Sequence, residues 1–176
     1  MDGNNEMDIF TALFTRRSIR RFVQGAISLD DIKIILKAGF HAPSAGNKRP
    51  VHFVVVRDRS ILKALSKAKQ EAEMIDEADA AIVICGDKNI QNYHDFLHED
   101  CSASIENMLL CIHGLNLGAV WCGVPSILSD CYQIYIDTLG LPENIVPVGT
   151  IAIGYPKEKG KFIDRFDEAR VHFEHW

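Results

Sequence analysis

The chain reads as one domain that mixes helices with strands, arranged either as a doubly wound parallel sheet or as an α+β sandwich. Three observations carry that reading. Segments with helical spacing alternate with short β-branched runs along all 176 residues. Hydrophobic residues make up 47% and charged residues 24%, which supplies one sizeable core. No repeat, low-complexity stretch or linker breaks the pattern, so residues 1–176 form a single domain.

Taken in order, Met7 to Thr15 has the spacing of a short helix. Ser28-Leu29-Asp30-Asp31 can cap the next one, on which Leu29, Ile32, Ile35 and Leu36 share a face and Gly39 marks the end. His41 to Pro50 holds two prolines and a glycine and is a loop. Val51 to Arg57 is β-branched and reads as a strand. Ile61 to Met74 reads as a helix with Ile61, Leu62, Leu65 and Ala68 inward. Ala80 to Cys85 is a buried strand closed by Gly86, and polar residues 87–99 form a loop or short helix that could cover a site. Ala103 to Leu117 repeats Ile105, Met108, Leu109, Ile112 and Leu115 at threes and fours and is the central helix, ended by Gly118. Ala119 to Pro125 is extended. Asp130 to Leu139 is a helix stopped by Gly140, and Val146 to Gly154 is the last strand. The tail, residues 155–176, carries Phe162, Phe166, Phe173 and Trp176 without a period. It packs either on a partner subunit or back on its own core. Periodicity does not separate a parallel sheet from a sandwich.

Composition narrows the function. A formal net charge of −5 argues against a nucleic-acid partner. No apolar run approaches the roughly 20 residues that span a bilayer, and the acidic start, residues 1–6, does not resemble a secretory signal. Five cysteines, never spaced as CxxC, read as free buried thiols of a reducing compartment, which points to the cytoplasm.

Against that acidic background, Arg16-Arg17-Ser18-Ile19-Arg20-Arg21 places four arginines in six residues. A solvated basic turn is the ordinary reading of such a run. The sharper reading is a phosphate anchor, because guanidinium forks bind phosphate oxygens in pairs and the Ser18 hydroxyl adds a donor. Two further segments share the theme. Residues 43–47 form a small-residue loop with Ser44 and Asn47 that could approach a flat ligand, and Lys161 and Arg165 add cations near the end.

RRSIRRF, APSAGN, the Ile105 helix followed by GLNLGAVWCGV, and IGYPKEKGKFIDRF together closely resemble the nitroreductase family of flavin enzymes, over residues 8–176. The resemblance implies an α+β fold with a mixed, mainly antiparallel sheet sandwiched by helices, formed as an intertwined homodimer. It implies FMN at the subunit interface. Carried over by position, Arg16, Arg17, Ser18 and Arg20 would hold the phosphate and ribityl end. Pro43, Ser44, Ala45 and Asn47 of the partner would flank the ring, Gly123 and Val124 would face its reactive edge, and Arg165 would add a phosphate contact. No acid–base pair is required, since the flavin carries the chemistry.

The chain departs from the family at Arg49-Pro50-Val51, where a glutamine, proline and tryptophan are common. It also lacks room for the long lid of larger members. His94, Asp95, His98, Glu99 and Cys101 suggest a metal, but no second cluster completes a shell, so no metal is expected. Cys122 reads as a packing residue, and Trp121 as core. The function expected is an FMN-dependent oxidoreductase that takes a hydride from NADH or NADPH and reduces nitroaromatics, quinones or related acceptors by a ping-pong cycle. A flavin-binding module that stores or delivers FMN is the alternative. An anion-binding regulatory domain is disfavoured by the net charge.

Overall fold

A computed structural model describes residues 7–125, 129–158 and 160–176; the acidic segment 1–6 lies outside them. The elements run α1 (Ile9–Thr15), β1 (Phe22–Val23), α2 (Leu29–Phe40), β2 (Val51–Val56), α3 (Arg59–Ser66), α4 (Met74–Glu77), β3 (Ala80–Asp87), α5 (His94–Gly114), β4 (Gly118–Gly123), α6 (Ser129–Leu139) and β5 (Ile145–Pro156).

Every described strand pair is antiparallel, which decides for the α+β sandwich. β5 is the organising strand. It pairs with β3 along Ile145–Ile153 and with β4 along Gly149–Gly154, and its last two residues meet β1. β2 completes the sheet beside β3. Strand alternation sends side chains into two apolar layers. Ala80, Ile82 and Ile84 of β3 face α2 and α5, against Ile32, Ile35, Ile105 and Met108. Ala81, Val83 and Cys85 face the other way, against Leu62, Leu65, Ile75, Cys131 and Tyr135 of α3, α4 and α6. Both faces of the sheet are therefore covered by helices.

Local chemistry sets the helix starts. Asp8 caps α1 by accepting from the Phe10 and Thr11 amides, and Asp58 caps α3 in the same way. Ser28 caps α2 by accepting the Asp31 amide at 3.0 Å, but the Asp31 carboxylate accepts the Ser28 hydroxyl at 2.8 Å instead of the backbone N–H that a full capping box would use. Gly140 ends α6 at a φ of +62°.

Several boundaries fall elsewhere than the sequence suggests. α5 begins at His94, so much of the polar stretch 87–99 is helix; Leu97 and Cys101 continue its buried stripe toward the N-terminus. Gly39 does not end α2. It lies inside the helix, where a Cβ would sit 2.7 Å from the Phe53 ring and 2.8 Å from the Met108 sulfur, so glycine permits α2 to touch α5. The expected helix from Ile61 to Met74 is broken into α3, a 3₁₀ turn at Gln70–Ala72 and α4. Leu29 is exposed rather than inward, and Trp121, expected in the core, is 39% exposed. From Gly160 onward the tail is exposed throughout, and its aromatics do not fold back on the core.

All five cysteines are free, and four are buried. Burial pushes the Cys85 and Cys101 thiols up to about 12. No described helix is long and apolar enough to cross a membrane.

One buried polar pair joins the outer helix layer to the sheet. Thr150 of β5 donates its hydroxyl hydrogen to the Tyr135 hydroxyl of α6 at 2.8 Å, and burial raises the Tyr135 phenol well above its usual range. Tyr135→Phe should cost about 1–2 kcal/mol in urea denaturation by stranding the threonine hydroxyl. Tyr135→Phe combined with Thr150→Val should recover part of that loss, and strictly additive losses would show that the pair is uncoupled.

Candidate functional site

The candidate site residues fall into two groups held by different side chains of α5. The first gathers where α1 runs into β1. Arg16 is half-buried, and its Nε donates to the Glu106 carboxylate of α5 at 3.2 Å. Ser18 and Arg20 are exposed. Arg16 and Arg17 line a hollow of about 340 Å³ with Phe14, Phe162, Ile163 and Arg165, whereas Ser18 and Arg20 do not line it. In the last turn of α5, His113 Nε2 lies 2.8 Å from the Thr15 hydroxyl. Burial, then the Arg16 and Arg17 charges, hold this imidazole below its ordinary pKa.

Arg20 opens onto a second hollow of about 420 Å³ shared with Arg21 and Lys157. Its charge also reaches Cys122 of β4. Burial raises that thiol, and Lys69 and Arg20 pull it partly back. Lys69, placed by the break between α3 and α4, therefore joins Arg20 near the end of β4. Nothing in the sequence singled it out, because it was read as one more polar residue of a continuous helix. Next to Cys122, a Cβ on Gly123 would meet nothing within 4 Å, so open space lies over the strand end. Val124 differs. It is buried, and its amide donates to the Val148 carbonyl at 3.0 Å.

The second group is the loop from Pro43 to Asn47, beside the N-terminal half of α5. Gly46, Asn47 and Arg49 all have φ between 53° and 61°, a left-handed run that costs a non-glycine residue about 1–2 kcal/mol. Hydrogen bonds compensate. The Ala45 amide donates to Asp100 Oδ1 at 2.7 Å, the Arg49 amide to the Ser44 hydroxyl at 2.9 Å, and Arg49 Nε to Asn47 Oδ1 at 2.9 Å. Asp100 is buried, and its other oxygen meets the buried Gln91 amide, which Lys48 holds in turn at 3.1 Å. Asp100 was missed from sequence although a signal existed. It is a carboxylate on the stripe Leu97, Asp100, Ser104, Ile105, a polar residue at a core position.

The two groups do not meet within one chain. Asp100 and Glu106, which hold the loop and Arg16, are six positions apart on α5, about 9 Å along its axis and on different faces at 3.6 residues per turn. His94 and His98 do share a face, with ring centroids 4.4 Å apart. Among the described residues, no group of three or more histidines, cysteines or carboxylates could hold a metal.

Asp100→Ala should lower stability by about 2 kcal/mol, the worth of a hydrogen bond to a charged acceptor, and speed hydrogen exchange at the Ala45 amide. Asp100→Asn keeps an acceptor and should lose less than half of that. An Ala45 amide unchanged in Asp100→Ala would show that the loop holds its shape without the carboxylate.

Comparison with known proteins agrees with this geometry. Residues 13–80 and 66–155 match the Nitroreductase family. A protein of Archaeoglobus fulgidus, provisionally named NADH dehydrogenase/NAD(P)H nitroreductase, is 45% identical over 168 residues, covering 93% of this chain and 96% of its own. An FMN-dependent nitroreductase from Clostridium difficile superposes with a TM-score of 0.88 at 30% identity, over 96% of this chain and 100% of that one. A provisionally named nitroreductase from Desulfovibrio desulfuricans, solved in complex with FMN, gives 0.85 at 29% identity, over 97% and 99% of the two chains. With the antiparallel sandwich, the arginine cluster and the small-residue loop all in place, the chain belongs to the nitroreductase family.

Proposed function

We propose that the chain is an FMN-dependent oxidoreductase that takes a hydride from NADH or NADPH and passes electrons to nitroaromatics, quinones or related acceptors. It works as a homodimer with both sites at the interface. The observation that carries this reading is the division of the site. The anion-binding groups and the shaped loop are held on different faces of α5, so a second copy would bring its loop to the cations. Exposed apolar surface supports the same assembly. Phe10 and Phe14 of α1, and Phe162, Phe166, Phe173 and Trp176 of the tail, are each more than 60% exposed on one chain. A second copy covering them by a two-fold axis removes that cost and closes the assembly.

The residues present fit FMN. A phosphate monoester carries nearly two negative charges, and Arg16, Ser18, Arg20 and Arg165 supply the cations and hydroxyl that would neutralise it. Lys69 adds a cation beside Arg20. The open face above Gly123 leaves room for a flat ring, and the loop Pro43–Asn47 of the second copy would lie on its other side. Bound FMN supplies the hydride chemistry. The chain contributes binding, orientation and a positive field, and with Val124 committed to the sheet, Gly123 is the backbone position left to face the ring. The whole chain, residues 1–176, acts as one domain, with the cytoplasm as its compartment.

The protein should bind one FMN per chain as a dimer and turn yellow on reconstitution; titration under reducing, near-neutral conditions that shows no binding would end this reading. Arg20→Ala should weaken FMN by roughly ten- to a hundredfold, the worth of a charge-assisted hydrogen bond, and riboflavin far less. Equal losses for the two would place Arg20 against the ring instead of the phosphate.

Kinetics test the shared pocket. If nicotinamide and acceptor occupy the same space in turn, double-reciprocal plots against NAD(P)H at several acceptor concentrations should be parallel. Intersecting lines would mean a ternary complex and a separate nicotinamide site.

A further inference from the structure

Arg17 sits in the middle of the cluster that the sequence marks for anion binding, yet its guanidinium is engaged elsewhere. Nε donates to the Lys161 carbonyl at 2.9 Å and Nη2 to the Ile163 carbonyl at 3.0 Å. Nη1 donates to the Arg16 carbonyl at 2.6 Å and the Phe14 carbonyl at 3.2 Å. One planar fork thus spans two carbonyls at the end of α1 and two from the base of the tail. The tail pair belongs to residues two apart, whose carbonyls point the same way in extended chain. A guanidinium committed to four carbonyl oxygens has little donor capacity left for a phosphate.

A second observation concerns the stem of the same side chain. Gly160 lies so close that a Cβ built on it would be 2.5 Å from Arg17 Cβ and 2.6 Å from Cγ. Glycine is therefore what allows the tail to lie against the arginine, and the head then grips the next residues. We propose that Arg17 is a positioning residue, a latch that ties the base of the C-terminal tail to the end of α1, and not a phosphate ligand. The latch fixes residues 161–163. It thereby carries Phe162, Ile163 and Arg165 into the hollow beside Arg16, and sets the direction in which the exposed tail leaves the body. The contact itself needs no flavin. Only its consequence for cofactor binding, through Arg165, rests on the function proposed above.

The test uses the full-length protein without flavin, in wild type and in Arg17→Ala, Arg17→Lys and Gly160→Val. Chymotryptic cleavage after Phe162 and Phe166 is followed by intact mass, with thermal unfolding of the body as a control. Arg17→Ala and Gly160→Val should each speed tail cleavage by about tenfold or more, the effect of losing charge-assisted hydrogen bonds on local opening. Unfolding of the body should move little. Arg17→Lys, a point charge unable to span both carbonyl pairs, should fall between Arg17→Ala and wild type. Gly160→Val keeps the guanidinium, so it also separates latch from ligand when FMN and riboflavin affinities are compared. A latch predicts that Arg17→Ala and Gly160→Val change the FMN-to-riboflavin ratio alike. Tail cleavage at the wild-type rate in both variants would overturn the proposal. So would a ratio that collapses in Arg17→Ala alone, which would make Arg17 an anion ligand. If wild type binds no FMN, the flavin reading fails while the cleavage result still decides the latch.

Discussion

The length of α5 is the constraint on which the site depends. Its 21 residues span about 30 Å, and it packs against α2 and four strands, β2 to β5. Asp100 grips the loop, and Glu106 and His113 grip the arginine segment. Two half-sites fastened to one rigid rod cannot close on each other. In the function proposed above, the matching halves of a second copy complete them, and the aromatics of α1 and the tail are exposed on the single chain.

The positive segment is managed by charges around it as much as by its own arginines. Glu106 balances Arg16, the Arg17 fork is taken up by carbonyls, and burial with the neighbouring cations lowers the His113 pKa. What remains outward is a short arc of charge from Arg20 and Lys69, next to a strand end with no side chain to obstruct it. Carboxylates lie among these cations, with Glu73 and Glu77 lining the hollow onto which Arg20 opens.

Much of the fold was legible because local rules and burial agreed. The cap at Ser28, the β-branched run of β2 and the apolar β3 are such places. Where they disagreed, the sequence misled. Residues 94–99 look polar and loop-like, but Leu97 and Cys101 pull them into α5, and that one shift hid Asp100. The stretch 61–74 has helical spacing, yet tertiary packing breaks it, which hid Lys69. Gly39 resembles a helix stop and is instead a packing contact between helices. The antiparallel pairing came only through the family likeness, since spacing along a strand does not reveal its neighbour's direction. The arginine cluster was visible at once, but the carbonyl partners of Arg17 lie 144 and 146 positions away, beyond any local pattern.

The buried thiols bear on how this protein can be handled and how it ages. A thiol reacts through its thiolate, and in this fold burial holds all five cysteines above their ordinary pKa. Four of the five are also buried, which keeps reagents from reaching them in the folded chain. A single cysteine introduced on the surface would therefore outcompete the native five, giving a selective attachment point for a fluorophore or electrode linker without first building a cysteine-free background.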